Sequence, residues 1–247
     1  MIRILCAAKE YEELPVRHNE DVLNAQLIPQ LRHPMPIRHA DKPSCKAEIL
    51  IQAHLDRLQL PVSDYVTDTR TVLDNSTRIL QAMIEVLTER GWWTSCYAVM
   101  RTIQCLMQAT WEEKSRGGSR RESGRRLLPD VSFSATFRRS AGKVKVEVDA
   151  MMKVNRANNR VPKAYAPCFP KLKEEGWWCA VVDVETDSLL ALKRFAVPGS
   201  KATARLPLET DRALARILHE RRMPAVHVVS DCYVGLDTQL TPVMVDE

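Results

Sequence analysis

Histidine, serine and aspartate are the first residue types to examine for chemistry. The chain has six histidines. His18, His33 and His39 fall in or near loops, and His54 lies on the apolar face of a helical pattern. None stands in the i, i+4 His pair or the His/Cys spacing that zinc requires. The reading is therefore no metal site, with His54 a satisfied core histidine. His227, Ser230 and Asp231 have the residue types of a hydrolase triad, yet no nucleophile elbow or oxyanion turn accompanies them. Coincidence is the better reading. The phosphate-cradling pattern GxxxxGK[ST] is absent, and the glycine-rich residues 117–124 have the wrong spacing with no Lys-Ser/Thr after them. No Asp–Glu pair stands at a strand end where it could hold magnesium. The expectation is a chain with no catalytic residue and no cofactor, which does not hydrolyse ATP on its own.

Binding chemistry has better candidates. Residues 115–126, SRGGSRRESGRR, hold Arg116, Arg120, Arg121, Arg125 and Arg126 and no apolar anchor. Such a segment can bind phosphates through charge, with strong salt dependence, or serve as a solvated tether. Both readings stay open. The paired tryptophans Trp92-Trp93 and Trp177-Trp178 could stack nucleic-acid bases. Burial is the simpler reading, and Trp177 or Trp178 can serve as the core aromatic of a sandwich.

The composition allows two domains. At 247 residues, 45% hydrophobic and 27% charged, the chain is in the range of ordinary soluble proteins and long enough for two cores. No apolar run is long enough to cross a bilayer. The opening MIRILCAAKEYEE turns acidic after Ala8 and lacks the apolar core and cleavage region of a secretory signal. Seven scattered cysteines with no CxxC pair favour reduced thiols in a cytoplasmic or nuclear setting. The net charge of +5 is unevenly placed: residues 1–114 hold 13 Lys+Arg against 15 Asp+Glu, 115–128 hold 5 against 1, and 129–247 hold 18 against 15. The basic excess sits in a short central segment, so global charge is a weak argument for nucleic-acid binding.

The elements that would position these groups change period midway. Residues 68–93 form the longest helical pattern: Val72, Leu73, Ser76, Ile79, Leu80, Met83 and Leu87 make a buried stripe, and Asp74, Arg78, Gln81, Glu85 and Glu89 take the other side. Asp68 or Thr69 can cap it, and Gly91 ends it. An acidic helix end at residues 10–21 breaks at Pro15, and a helix from Asn19 runs through Leu23, Leu27 and Leu31. An extended loop over residues 32–43 follows. A helix from Ser44 then ends at Pro61, with Ala47, Leu50, Ile51, His54, Leu55 and Leu58 on one face. A last helix spans residues 93–111, with Cys96, Val99, Met100, Ile103, Met107 and Trp111 on one stripe. After Pro129 the period becomes 2. VSFSATF, KVKVEVDAMMKV, WWCAVVDV, SLLALKRF, AVHVVSDC and TQLTPVMV read as strands, interrupted by one helical stretch at residues 210–222. The fold class expected is α + β in separate domains: an all-α bundle over 1–114, a linker over 115–128, and an all-β immunoglobulin- or fibronectin-like sandwich over 129–247.

Several segments together resemble a known unit. LPVRHNED (14–21), IQAHLDRLQL (51–60) and ILQAMIEVLTERGWW (79–93) are similar to the helical part of the Sec63 unit of Ski2-like nucleic-acid helicases. FPKLKEEGWW (169–178), LLALKRF (189–195) and SDCYVGLD (230–237) are similar to its terminal fibronectin- or immunoglobulin-like domain. LPVRHNED and SDCYVGLD look closer to the branch of the activating signal cointegrator complex than to the spliceosomal branch. The resemblance covers about residues 8–114 and 129–247. It implies a ratchet helix under the translocating strand, here residues 68–90, with Arg78 at a strand-facing basic position and Asn75 one turn earlier. It also implies a sandwich that docks proteins without doing chemistry. The partners implied are RecA-like motor domains in cis or trans, single-stranded RNA or DNA, and other protein subunits, with no membrane.

Three departures qualify the resemblance. The RecA-like domains and winged helix that precede the unit are not in this sequence, so the expectation is that Met1 begins a fragment, a truncated gene model or a free-standing paralogue. The family's helix-loop-helix between bundle and sandwich is replaced by residues 115–128. Residues 210–222 look like an insertion. The first reading is a noncatalytic helicase module. The alternative is a protein-interaction adaptor that has lost the nucleic-acid path. A translocon subunit would bring membrane spans and a His-Pro-Asp motif, whereas His33-Pro34 is followed by Met35.

Overall fold

In the computed structural model, residues 1–112, 128–140, 143–152, 160–208 and 223–246 are described. Among the described residues five α-helices come first: α1 (Ile2–Cys6), α2 (Glu20–Leu27), α3 (Pro43–Asp56), α4 (Ser63–Glu89) and α5 (Trp93–Gln108). Eight strands follow: β1 (Val131–Ser140), β2 (Lys143–Met152), β3 (Trp177–Asp183), β4 (Ser188–Phe195), β5 (Lys201–Leu208), β6 (Ala225–Ser230), β7 (Thr238–Leu240) and β8 (Val243–Asp246). The α + β class is as the sequence pattern predicts. Residues 115–127 of the predicted linker and the 210–222 stretch lie outside the described residues.

At the centre of the bundle, α3 is buried on nearly every side, from Cys45 and Lys46 through Leu50, Ile51, Gln52 and Ala53. The single apolar face predicted for it is a correction: α1, α2, α4 and α5 all pack around it. Pro43 occupies its first turn, where a missing N–H costs nothing. It ends at Arg57, held at φ 55°, and not at Pro61 as predicted. The Leu58 N–H then reaches back to the Ala53 carbonyl at 2.9 Å, which satisfies the helix end without proline.

The long helix α4 starts one turn earlier than predicted. Val62 precedes it with no side-chain cap, so neither Asp68 nor Thr69 caps the helix. Asp68 is instead a buried carboxylate inside it, and the Thr69 hydroxyl donates to the Tyr65 carbonyl at 2.6 Å. Val72, Leu73, Ser76 and Leu80 are buried as the stripe predicts. Gly91 ends the helix at φ 67°, a conformation that costs glycine little. The next helix, α5, stops at Ala109 (φ 47°), so Trp111 lies beyond the helix that was drawn through it.

The strands form two four-stranded sheets, ordered β5-β2-β1-β8 and β4-β3-β6-β7. Only β1 with β8 is parallel among the described pairs. Phe137, Val146 and Val148 of one sheet meet Trp177, Cys179, Val181, Val226 and Val228 of the other in the sandwich core. The opposite face of the second sheet is not solvated. Trp178, Ala180, Val182 and Val229 share one apolar cluster with the helical core. That double burial explains the unbroken apolar run of β3, since no face of it needs polar residues.

Two strand expectations change. TQLTPVMV was read as one strand; Thr241-Pro242 breaks it into β7 in one sheet and β8 in the other. Proline has no N–H to offer a ladder, so the chain changes sheets there. The edge strand β5, KATARLPL, is not among the strands read from the sequence although Ala202, Ala204, Leu206 and Leu208 alternate with other residues; the small alanines and Pro207 weaken the strand signal.

Candidate nucleic-acid interface

Helix α4 has 27 residues and is about 40 Å long. Its rigidity begins with a buried ion cluster near its N-terminal end. The Lys46 ammonium, with no side-chain exposure, donates to Glu20 Oε2, Asp68 Oδ2 and the Pro15 carbonyl, each at 2.6 Å. Arg17 closes the cluster with a bidentate contact to Asp68 (2.6 and 3.2 Å) and a bond to Glu20 (3.0 Å). Burial alone would raise the Glu20 and Asp68 carboxyl pKa values, but the hydrogen bonds from Lys46 and Arg17 outweigh it and hold both below the ordinary range. The segment LPVRHNED supplies two of these four charges. Tyr11 adds a neutral tie, with its hydroxyl 2.8 Å from Ser76 Oγ.

On the outward face, Arg78 is exposed and makes no ion pair among the described residues. Asn75 is half-buried one turn earlier. Arg70 is exposed two turns before Arg78 on the same face. Asp74 does not face open water. Its Oδ1 lies 2.7 Å from Lys171 Nζ, and the neighbouring Thr77 Oγ1 accepts from Lys173 Nζ at 3.4 Å. Lys171 and Lys173 come from the turn before β3 and were not singled out as site residues in the sequence. Their signal in the sequence is the Lys-Leu-Lys triplet inside FPKLKEEGWW.

Further along, the face becomes acidic. Gln81, Glu85 and Glu89 line a cleft of about 370 Å³ between α4 and the second sheet, closed by Trp178, Leu192 and Arg194. Both arginines inside α4, Arg70 and Arg78, precede this acidic stretch. Arg116, Arg120, Arg121, Arg125 and Arg126 lie outside the described residues.

The other candidates resolve into structural roles. His54 Nε2–H donates to the Leu106 carbonyl at 2.8 Å, and burial lowers its pKa. The Ser230 hydroxyl oxygen accepts the Cys232 and Tyr233 N–H groups, Asp231 receives the Gly176 N–H and Arg194, and His227 packs on Trp93 with centroids 4.8 Å apart. No triad geometry results. Burial pushes the Cys96 and Cys105 thiols up to about 11, so neither is a thiolate nucleophile at neutral pH. Among the described residues no group of His, Cys, Asp and Glu is arranged to hold a metal. Trp177 fills the sandwich core against Phe133, Trp178 faces the helices and Trp93 is buried. Trp92 alone of the two pairs is open, at 54% exposure, with Arg90 over its ring.

A helical bundle with one 27-residue helix is thus fused through a shared apolar core to a two-sheet sandwich. The chain belongs to the Sec63 family: the Sec63 Brl domain profile matches residues 1–242. It is 32% identical over 96% of its length to the DExH-box ATP-dependent RNA helicase DExH14 of Arabidopsis thaliana. It is 27% identical over 97% to human activating signal cointegrator 1 complex subunit 3, and 26% identical over 97% to the human U5 small nuclear ribonucleoprotein 200 kDa helicase. The matched stretch is 13–15% of these relatives' own length. The alignments run to 282, 333 and 287 residues, longer than this chain, so the relatives carry residues here that it lacks. It is a Sec63 domain of the kind found in Ski2-like helicases. No helix among the described residues is long and apolar enough to cross a membrane.

Proposed function

We propose that this chain is a noncatalytic Sec63 module that guides single-stranded nucleic acid along α4 and holds protein partners. RecA-like motor domains, in the same polypeptide or a partner chain, supply ATP hydrolysis. The observation that carries the reading is Arg78: an exposed guanidinium at the middle of a rigid 27-residue helix, without an ion pair among the described residues. A cation left unpaired on a braced surface is ready to meet a phosphate without first breaking an internal contact. Asn75 adds a donor and acceptor one turn away. One relative is named an RNA helicase and another a helicase, which agrees with a strand as the ligand.

Filter binding of single-stranded RNA at low salt tests it. Arg78→Ala is expected to lower retention several-fold and the log–log salt slope by about 0.7, the value of one phosphate contact on a single strand. Its folding stability is expected to stay within about 0.5 kcal/mol of the parent. Equal retention by the two proteins would sink the strand-facing role. Phosphate release from ATP by the chain alone, above buffer, would overturn the noncatalytic part.

The acidic half of α4, with Glu85 and Glu89 in the cleft beside the second sheet, favours a second reading: a protein-interaction adaptor without a nucleic-acid path. No retained RNA while partner proteins still co-purify would select the adaptor.

A further inference from the structure

The turn that carries Lys171 and Lys173 is built more firmly than a surface loop needs. The Ala164 N–H donates to the Lys173 carbonyl at 2.8 Å and the Glu175 N–H to the Pro162 carbonyl at 3.0 Å. Lys163 and Glu174 face one another as a β-bridge and pair through Nζ and Oε1 at 3.0 Å. Phe169 is buried at the base, its N–H on the Ala166 carbonyl. The tip, Pro170-Lys171-Leu172-Lys173, is thus braced on both sides. Yet Leu172 projects from it with 81% exposure, more than any other exposed large apolar residue described.

The flanking lysines point to the bundle. Lys171 reaches Asp74 and Lys173 reaches Thr77, so the turn touches α4 at two points within one helical turn of Arg78. Arg70, Arg78, Lys171 and Lys173 there outnumber the carboxylates beside them, Asp74 paired with Lys171 and Glu174 paired with Lys163. That balance selects a polyanion. A held-out leucine beside cations matches a single strand in particular, which offers charged phosphates along one edge and the apolar faces of unstacked bases along the other.

We infer that residues 170–173 form the second wall of the strand path on α4. Lys171 and Lys173 join Arg78 on the phosphates, and Leu172 packs on the face of one base. This rests on the reading of α4 given above, and its test separates the two.

The test is fluorescence anisotropy of the full chain with a labelled uridine oligomer over a salt series. Lys171→Ala/Lys173→Ala is expected to weaken binding about tenfold at low salt and to lower the salt slope by about 1.4, at about 0.7 per phosphate contact. Leu172→Ala is expected to weaken it about threefold with the slope unchanged, since no charge is removed. Asp74→Asn, which takes the carboxylate out of the patch, is expected to tighten binding. Parental affinity in the lysine variant, with Arg78→Ala weakened, overturns this inference and leaves the α4 reading standing. Parental affinity in both overturns both. Parental RNA affinity with loss of a co-purifying protein would give the turn to a protein partner, and overturns the inference too.

Discussion

Replacing Lys46 by methionine keeps the stem's volume and deletes only the ammonium. The structure says how much that removes. Glu20 Oε2 and Asp68 Oδ2 each lie 2.6 Å from the same nitrogen, so the two oxygens are at most about 5 Å apart. At an effective dielectric of about 20, two like charges at that distance repel by about 3 kcal/mol. Arg17 remains and offsets part of this, while the Pro15 carbonyl loses its donor. Breaking a buried pair from one side costs about 3–5 kcal/mol in general, so Lys46→Met is expected to cost about 3–4 kcal/mol at neutral pH. A domain of this kind has about 5–15 kcal/mol in total. The pH dependence has a definite sign. In the parent both carboxyls titrate below their ordinary range, so their contribution is complete above that range and is lost as pH falls through the depressed folded values. In the variant, burial has less to oppose it and one carboxyl takes up a proton more readily. The gap between parent and variant therefore narrows on acidification. Urea unfolding followed by tryptophan fluorescence at about pH 7 and about pH 4.5 measures both gaps. A gap below about 1 kcal/mol at pH 7, or one equal at the two pH values, would refute the cluster's role.

Two further predictions concern the sandwich. Gly176 passes between Asp231 and Arg194, donating its N–H to Asp231 Oδ1 at 2.7 Å, and a Cβ there would collide with both side chains. Gly176→Ala is expected to cost about 1–3 kcal/mol by displacing that pair, seen as a fall in Tm of several degrees; an unchanged Tm would count against the close approach. Trp177→Ala is expected to cost about 3–5 kcal/mol because it empties the sandwich core, while Trp92→Ala, exposed and stacked only by Arg90, is expected to cost under about 1 kcal/mol. Denaturant midpoints of the two variants compare them directly, and equal losses would contradict the assignment of one tryptophan to core and the other to surface.

What was legible in the sequence was whatever a periodic pattern must show. The stripe of α4 and the strands β1, β2, β4 and β6 bury a single face or a short run, so their apolar spacing announces them. Gly91 marks a helix end because its conformation favours glycine. The errors at Asp68 and along α3 share one physical source: charged or polar residues read as boundary or surface are buried by tertiary partners. Asp68 looked like a cap since a lone carboxylate belongs at a helix start, and only Lys46, 22 residues earlier in the chain, makes it a core residue. Lys46 itself gave no sign within α3. The site proposed at Asn75 and Arg78 comes from family resemblance alone, whereas Lys171 and Lys173 reach α4 only because the second sheet packs on the bundle.

That packing decides how far a path on α4 can have a fixed width. Trp178, Val229, Cys232 and Tyr233 belong to the same apolar cluster as the helices, so separating bundle from sheet would expose a continuous core. Polar contacts set the register: Gln104 donates to the Ser230 carbonyl at 2.7 Å and to Asp237 Oδ1 at 2.8 Å, and Arg101 pairs with Asp237 at 3.1 Å. At the far end of α4, the Leu189 N–H donates to the Gly91 carbonyl at 2.8 Å, and the Thr94 hydroxyl to Asp187 at 2.7 Å. The motifs SDCYVGLD and GWW thus serve first as the joint between the two halves. Tyr233 carries that joint to the turn, since its hydroxyl receives the Tyr165 N–H at 2.9 Å and donates to the buried Glu175 at 2.8 Å. Residues 170–173 are therefore placed on α4 at Asp74 and Thr77 by the same core that holds the sandwich to the bundle. A strand lying across both would meet two surfaces whose relative placement does not depend on the strand, which lowers the ordering cost of binding it.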